Sequence, residues 1–205
     1  MVYVLLAEGF EEVEALAPVD ILRRGGVEVR TVGMTGKTVT GSHGIPVVAD
    51  ILPTDVTEEG MEMLVFPGGL PGSDNLNDSP DTDRFLAMAE ACGAHVAAIC
   101  VAPYLLGRRG LLRGICATSY PAPKFRAQLL DALVTDERVV TDGRFTTAAG
   151  MGVAEAFGLQ LLAVLRGEEA ALEIAKAALI DIPSDTMYFV PEEELRDEGE
   201  ENGTR

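Results

Sequence analysis

Cys100 is the residue on which chemistry would centre. It closes the apolar run His95-Val96-Ala97-Ala98-Ile99 and precedes Val101-Ala102-Pro103, a strand passing into a helix start with a proline suited to the first turn. Small neighbours permit a sharp elbow that presents the thiol above the carboxyl ends of the strands, as hydrolases present a serine. Free amides and the dipole at a helix start favour the thiolate, the nucleophilic and oxidisable form. A cysteine on an apolar strand also reads as a small buried hydrophobe, so its surroundings must decide.

Two other stretches offer partners. Phe66-Pro67-Gly68-Gly69-Leu70-Pro71-Gly72 follows a second apolar run, and the bare amides of its glycines can stabilise an oxyanion, although such turns are often only turns. Glu8-Gly9-Phe10-Glu11-Glu12-Val13-Glu14 is acidic where a first strand gives way to a helix, and most of these carboxylates need no role beyond pairing with the helix dipole. Glu14 is different. Turned inward beside a thiolate, its carboxyl would be kept protonated by burial and like charge, and could donate a hydrogen bond to sulfur.

The elements that must position these residues alternate along the chain. Val2–Leu6, Val27–Val32, Met63–Phe66, Ala94–Ile99 and Ile115–Thr118 read as strands. Glu11–Arg24, Thr82–Cys92, Val101–Arg109, Pro123–Leu133, Gly152–Leu165 and Glu168–Leu179 read as helices, stopped by Gly25-Gly26, Gly93 and Gly167. That order implies an α/β fold with a parallel sheet and helices on both faces. Two hairpins interrupt it, at 37–48 around Gly41-Ser42-His43-Gly44 and at 139–148 around Asp142-Gly143. Pro18 should kink or divide the first helix.

The chain's 205 residues, 47% hydrophobic, suffice for one core, so a single domain over 1–180 is expected, with an acidic and partly disordered tail at 181–205. With 33 acidic against 16 basic residues, the surface repels phosphate backbones and anionic membranes, which argues against nucleic-acid or membrane partners. The N-terminal apolar run breaks at Glu8 and lacks a basic flank, so it reads as a strand rather than a signal or span. Cys92, Cys100 and Cys116 form no CxxC pair, and a reducing cytoplasm is the expected compartment. His43 and His95 are far apart and the cysteines lack ligand spacing, so no metal is expected, and no dinucleotide or phosphate-loop motif calls for a cofactor.

Together, A-E-G-F-E-E-x-E at the N-terminus, P-V-D-x-L-R-R-x-G at 18–26, P-G-G at 67–69 and A-A-I-C-x-A-P at 97–103 resemble the ThiJ/PfpI superfamily, in its DJ-1-like branch. The resemblance spans roughly residues 2–167 and implies a flavodoxin-like three-layer sandwich, similar to class I glutamine amidotransferases, and a homodimer. It maps the reactive elbow cysteine onto Cys100, the facing protonated glutamate onto Glu14, and an anion pocket onto Gly68, Gly69 and the amide of Val101. Members act on 2-oxoaldehydes or glycated substrates, serve as redox sensors or chaperones, or cleave peptides.

Departures from the family's pattern narrow these choices. Val101 stands where the peptidase branch has a histidine, and Tyr120, in Thr118-Ser119-Tyr120-Pro121, where the DJ-1-like branch has one. His95 lies five residues before Cys100, roughly 16 Å along the strand, and is a structural residue. His43 and Arg24 could contribute across a dimer. The leading expectation is a Cys100-dependent enzyme on 2-oxoaldehydes, with Glu14 shuttling protons and Tyr120 polarising a carbonyl. The alternative is a non-catalytic redox sensor or chaperone that holds Cys100 as a sulfinate. A peptidase, lacking a base beside the thiol, ranks last.

Overall fold

A computed structural model describes residues 1–181 and 186–189. The alternation read from the sequence gives, in order, β1 (Val2–Leu6), α1 (Glu12–Arg24), β2 (Val29–Gly33), β3 (Thr38–Thr40), β4 (Pro46–Val48), β5 (Met63–Phe66), α2 (Gly72–Asp78), α3 (Pro80–Cys92) and β6 (His95–Ile99). There follow α4 (Pro103–Arg108), β7 (Cys116–Ala117), α5 (Pro123–Arg126), β8 (Leu133–Val134), β9 (Val139–Asp142), β10 (Phe145–Ala148), α6 (Ala154–Arg166), α7 (Glu168–Ala177) and β11 (Met187–Phe189).

Seven strands form one sheet in the order β11-β9-β10-β6-β5-β1-β2, parallel except where β10 runs antiparallel to β9. Strand geometry sends alternate side chains to opposite faces, and both faces are apolar. Val2, Val4 and Leu6 join α1, α6 and α7 in one core layer, whereas Tyr3, Leu5 and Ala7 join α2, α3 and α4 in the other. The result is the expected three-layer α/β sandwich. Because β1 lies between β5 and β2, the strand order reverses there, and the carboxyl ends of β1, β5 and β6 open a crevice.

Several expectations need correction. Ile115–Thr118 does not enter the main sheet; Cys116–Ala117 pairs with Leu133–Val134 in a separate two-stranded piece. That pairing holds Leu133 extended, so the helix expected over 123–133 is a single turn, Pro123–Arg126. Gly72–Asp78 is a helix although its sequence, GSDNLND, contains few helix formers. Pro18 does not divide α1, which runs unbroken against Gly158 of α6. The hairpins at 37–48 and 139–148 both form. Within the segment expected as a tail, β11 pairs with β9, so the sheet draws on residues beyond 180; 182–185 and 190–205 lie outside the described residues.

Candidate active site

The chain passes from β6 into α4 through Cys100, whose φ of 66° lies in the left-handed region. A non-glycine residue there costs about 1–2 kcal/mol and persists only where its surroundings fix it. The Cys100 N–H donates to Ala148 O at 2.8 Å, and its carbonyl accepts from Tyr120 N at 2.7 Å. The elbow is therefore clamped from both sides. The helix after it is shorter than expected, because Val101 and Ala102 belong to the turn and α4 starts at Pro103.

Glu14 comes from the first turn of α1, whose N-cap is Glu11: the Glu11 carboxylate accepts from Glu14 N at 2.7 Å. The Glu14 side chain is wholly buried, and neither oxygen completes a hydrogen bond of ordinary geometry among the described residues. Its polar neighbours are the Cys100 thiol and the Gly68 amide. Gly68 has to be glycine. A Cβ there would overlap Glu14 Oε2 and stand 2.7 Å from Cys100 Cβ. Gly69, at φ 90°, likewise has no room, since a Cβ would press on Gly9 O and Phe10 C at 2.7 and 2.8 Å.

The electrostatics follow from this packing. Burial raises the Glu14 carboxyl to about 7, with the Glu11 charge adding to the effect while the thiol and the Gly68 amide oppose it. Burial also pushes the Cys100 thiol up, and Glu14's charge pushes it further; the amides of Val101 and Gly69, facing the sulfur, pull the other way. The expectation that a helix start would lower the thiol is thus outweighed by desolvation. Two negative charges cannot share so small a buried space, so the pair holds a proton between them. Once the first proton leaves, near pH 7, the remaining charge sits either on the carboxylate, beside the Gly68 amide, or on sulfur, beside the Gly69 and Val101 amides.

The other sequence candidates divide sharply. Tyr120 flanks the mouth, with its ring edge-on to Phe125 at 6.4 Å. A Cβ on Gly150 would lie 3.7 Å from Tyr120 Cδ2 and 3.9 Å from Cys100 Sγ, so this glycine, which sequence reasoning missed, keeps open the space between ring and thiol. Only its position after β10 could have flagged it. His95 is at the far end of β6, as expected. Arg24 is bonded to Asp20 at the opposite end of α1, on the order of 15 Å from Glu14. His43 is exposed and tied to Glu12 Oε2 at 2.8 Å, which raises its pKa, and it is not among the groups that act on the Cys100 thiol.

Glu11, Glu12 and His43 do bring one ligand atom each within 4.8 Å of one another, a cluster able to hold a metal ion that a search for His and Cys spacing overlooks. Its oxygens already serve the α1 N-cap and the amides of His43 and Ile45. No helix among the described residues is long and apolar enough to cross a membrane.

Comparison with known proteins places this arrangement. The profile of the DJ-1/PfpI family matches residues 1–164. Protein dj-1beta of Drosophila melanogaster is 35% identical over 178 residues, covering 86% of this chain and 95% of its own. Its crystal structure superposes with a TM-score of 0.82 at 34% identity, over 88% of this chain and 98% of the other. Protein DJ-1 homolog A of Arabidopsis thaliana is 37% identical over 181 residues, which are 87% of this chain, and the chain spans 46% of that protein's length. A Caenorhabditis elegans protein named as a glutathione-independent glyoxalase is 28% identical over 169 residues, 82% of this chain and 90% of its own.

Proposed function

Because the chain belongs to the DJ-1/PfpI family, we propose that it is a cofactor-independent enzyme that converts 2-oxoaldehydes to 2-hydroxy acids through Cys100. The observation that carries this reading is the buried Glu14 carboxyl, left without a complete hydrogen bond and set against the thiol. A purely structural carboxyl so placed would be costly; a proton carrier has to be free to give and take.

The sulfur of Cys100 adds to the aldehyde carbon while Glu14 gives its proton to the aldehyde oxygen, forming a hemithioacetal. The Glu14 carboxylate then removes the proton from that carbon and returns it to the adjacent one, as the hydroxyl proton passes to the neighbouring oxygen. The product is a 2-hydroxy thioester, which water hydrolyses to the hydroxy acid and the free thiol. The Gly69 and Val101 amides stabilise the sulfur whenever it carries charge. Tyr120 borders the carbonyl's path. Peptide cleavage asks for a base that activates the thiol and an acid for the leaving amine, and no histidine is among the groups that act on the Cys100 thiol.

A second reading is favoured by the same amides. Sulfinate oxygens on Cys100 would meet the donors that face the sulfur, with a protonated Glu14 as a further donor, which suits a redox sensor. A reducing cytoplasm, which would keep Cys92 and Cys100 as thiols, belongs to this reading. Under either reading the protein is proposed to be a homodimer, with His43 and Arg24 offered toward a partner's site.

Lactate formation from methylglyoxal by the purified protein tests the enzyme. Turnover that Cys100→Ser lowers at least ~1000-fold is expected for loss of a covalent nucleophile. Lactate formed equally by Cys100→Ser, or none from the unaltered protein, would overturn it.

A further inference from the structure

Arg138 is set apart from the other arginines. Nine of those described pair with a carboxylate, and Arg108 lies over the Tyr104 ring. Arg138 has no acidic partner within ion-pair distance among the described residues; its Nη2 donates only to Gly152 O, at 3.3 Å. In a chain of net charge −17, a cation without an acidic partner among the described residues is an exception.

Its position is informative as well. A cavity of about 320 Å³ is lined by Tyr120, Gly150, Gly152 and Arg138, and Arg138 is its one charged lining residue among the described residues. On one side, a Cβ on Gly150 would stand 3.9 Å from Cys100 Sγ. On the other, a Cβ on Gly152 would stand 3.9 Å from Arg138 Nη2. Two residues of chain cover at most ~7 Å, so with the two 3.9 Å approaches the guanidinium lies within ~18 Å of the thiol. A neighbouring cavity behind Arg138 also contains Glu155 and Asp181, so the attraction for anions is directed into the first cavity rather than the second.

We infer that Arg138 binds the anionic end of the substrate, and that the preferred substrates are 2-oxoaldehydes carrying a terminal carboxylate a few carbons from the reacting aldehyde. This rests on the 2-oxoaldehyde reading of Cys100 and adds a substrate class to it. Arg138 is a specificity residue rather than a catalytic one. A C–S bond at one end, a charge-assisted hydrogen bond at the other and a five-carbon chain between them reach roughly 10 Å, inside that limit. Methylglyoxal fills only the end near Tyr120.

Two measurements keep the inference separable from the reaction it builds on. The first compares 4,5-dioxopentanoate, a carboxylated 2-oxoaldehyde, with methylglyoxal. Arg138→Gln is expected to lower the ratio of their kcat/KM values ~10-fold, chiefly through KM for the anionic substrate, with Arg138→Lys recovering part of it. An unchanged ratio overturns the inference. The second needs no turnover: levulinate, which has the carboxylate but no aldehyde, should slow alkylation of Cys100 by iodoacetamide at millimolar concentration, whereas neutral pentan-2-one should not. Protection that persists in Arg138→Gln, or that is absent from the unaltered protein, removes Arg138 from substrate binding even if methylglyoxal is turned over. Protection without turnover of either aldehyde leaves Arg138 as an anion site and defeats the enzymatic reading instead.

Discussion

His95 and Cys100 stand at opposite ends of β6, each beside buried polar groups, and the two ends treat those groups differently. At the His95 end a chain of hydrogen bonds runs from His95 Nε2 to Thr146 Oγ1 at 2.8 Å, on to Thr141 Oγ1 at 2.8 Å, and from there to Gln160 Nε2 at 2.9 Å. Only Gln160 Oε1 is left over among the described residues. Burial lowers His95 to about 4, so the imidazole is neutral and bound in place. At the Cys100 end Glu14 is just as deeply buried, yet both its oxygens are left over and its carboxyl is raised to about 7. Polar groups that satisfy one another hold a fold together; a polar group kept buried without partners is available to a substrate.

Gly68→Ala breaks the comparison most severely. The new methyl has no space between Glu14 Oε2, Cys100 Cβ and Ile99 O, so either the carboxyl or the elbow has to move. A loss of about 3 kcal/mol in urea unfolding, together with loss of Cys100 reactivity, is the expected outcome. An alanine variant with native stability and reactivity would show that Glu14 and Cys100 are less tightly apposed than the packing indicates.

The two ends should also give opposite pH dependences of stability. An unfolded histidine titrates at 6.5 and His95 folded at about 4; between these the unfolded chain binds the extra proton, so stability rises with pH. Glu14 has an unfolded value of 4.5 and a folded value of about 7, so there the folded chain holds the extra proton and stability falls as pH rises. Each contributes at most about 3 kcal/mol across its window, and between 4.5 and 6.5 the two slopes oppose each other. Glu14→Gln should therefore leave a stability that climbs from pH 4 to 6.5, whereas His95→Gln should leave one that declines from 4.5 to 7. Denaturant midpoints measured across this range decide it, and parallel profiles for the two variants would refute the opposition.

Much of this was legible in the sequence because it depends on local signals. The alternating apolar runs set the sheet, and Gly25, Gly93 and Gly167 each fall at a helix end. The elbow could be read from small residues around Cys100, and Glu14 from the first turn of α1. What escaped depends on contacts between segments distant in the chain. Cys116–Ala117 leaves the main sheet because Leu133–Val134 is there to pair with it. Gly150 matters through its distance to a thiol fifty residues earlier. The direction of the thiol's shift was missed because a dipole is visible from sequence, whereas the desolvation that outweighs it appears only once the layers are packed.

The proton shared between Glu14 and Cys100 is the centre of the account, and the pH profile of Cys100 alkylation by iodoacetamide, followed by peptide mass spectrometry, tests it most directly. The rate is expected to rise through a midpoint near 7, where the pair loses its first proton, and that midpoint should vanish in Glu14→Gln. A profile with an ordinary thiol midpoint near ~8.5, the same in both proteins, would contradict it.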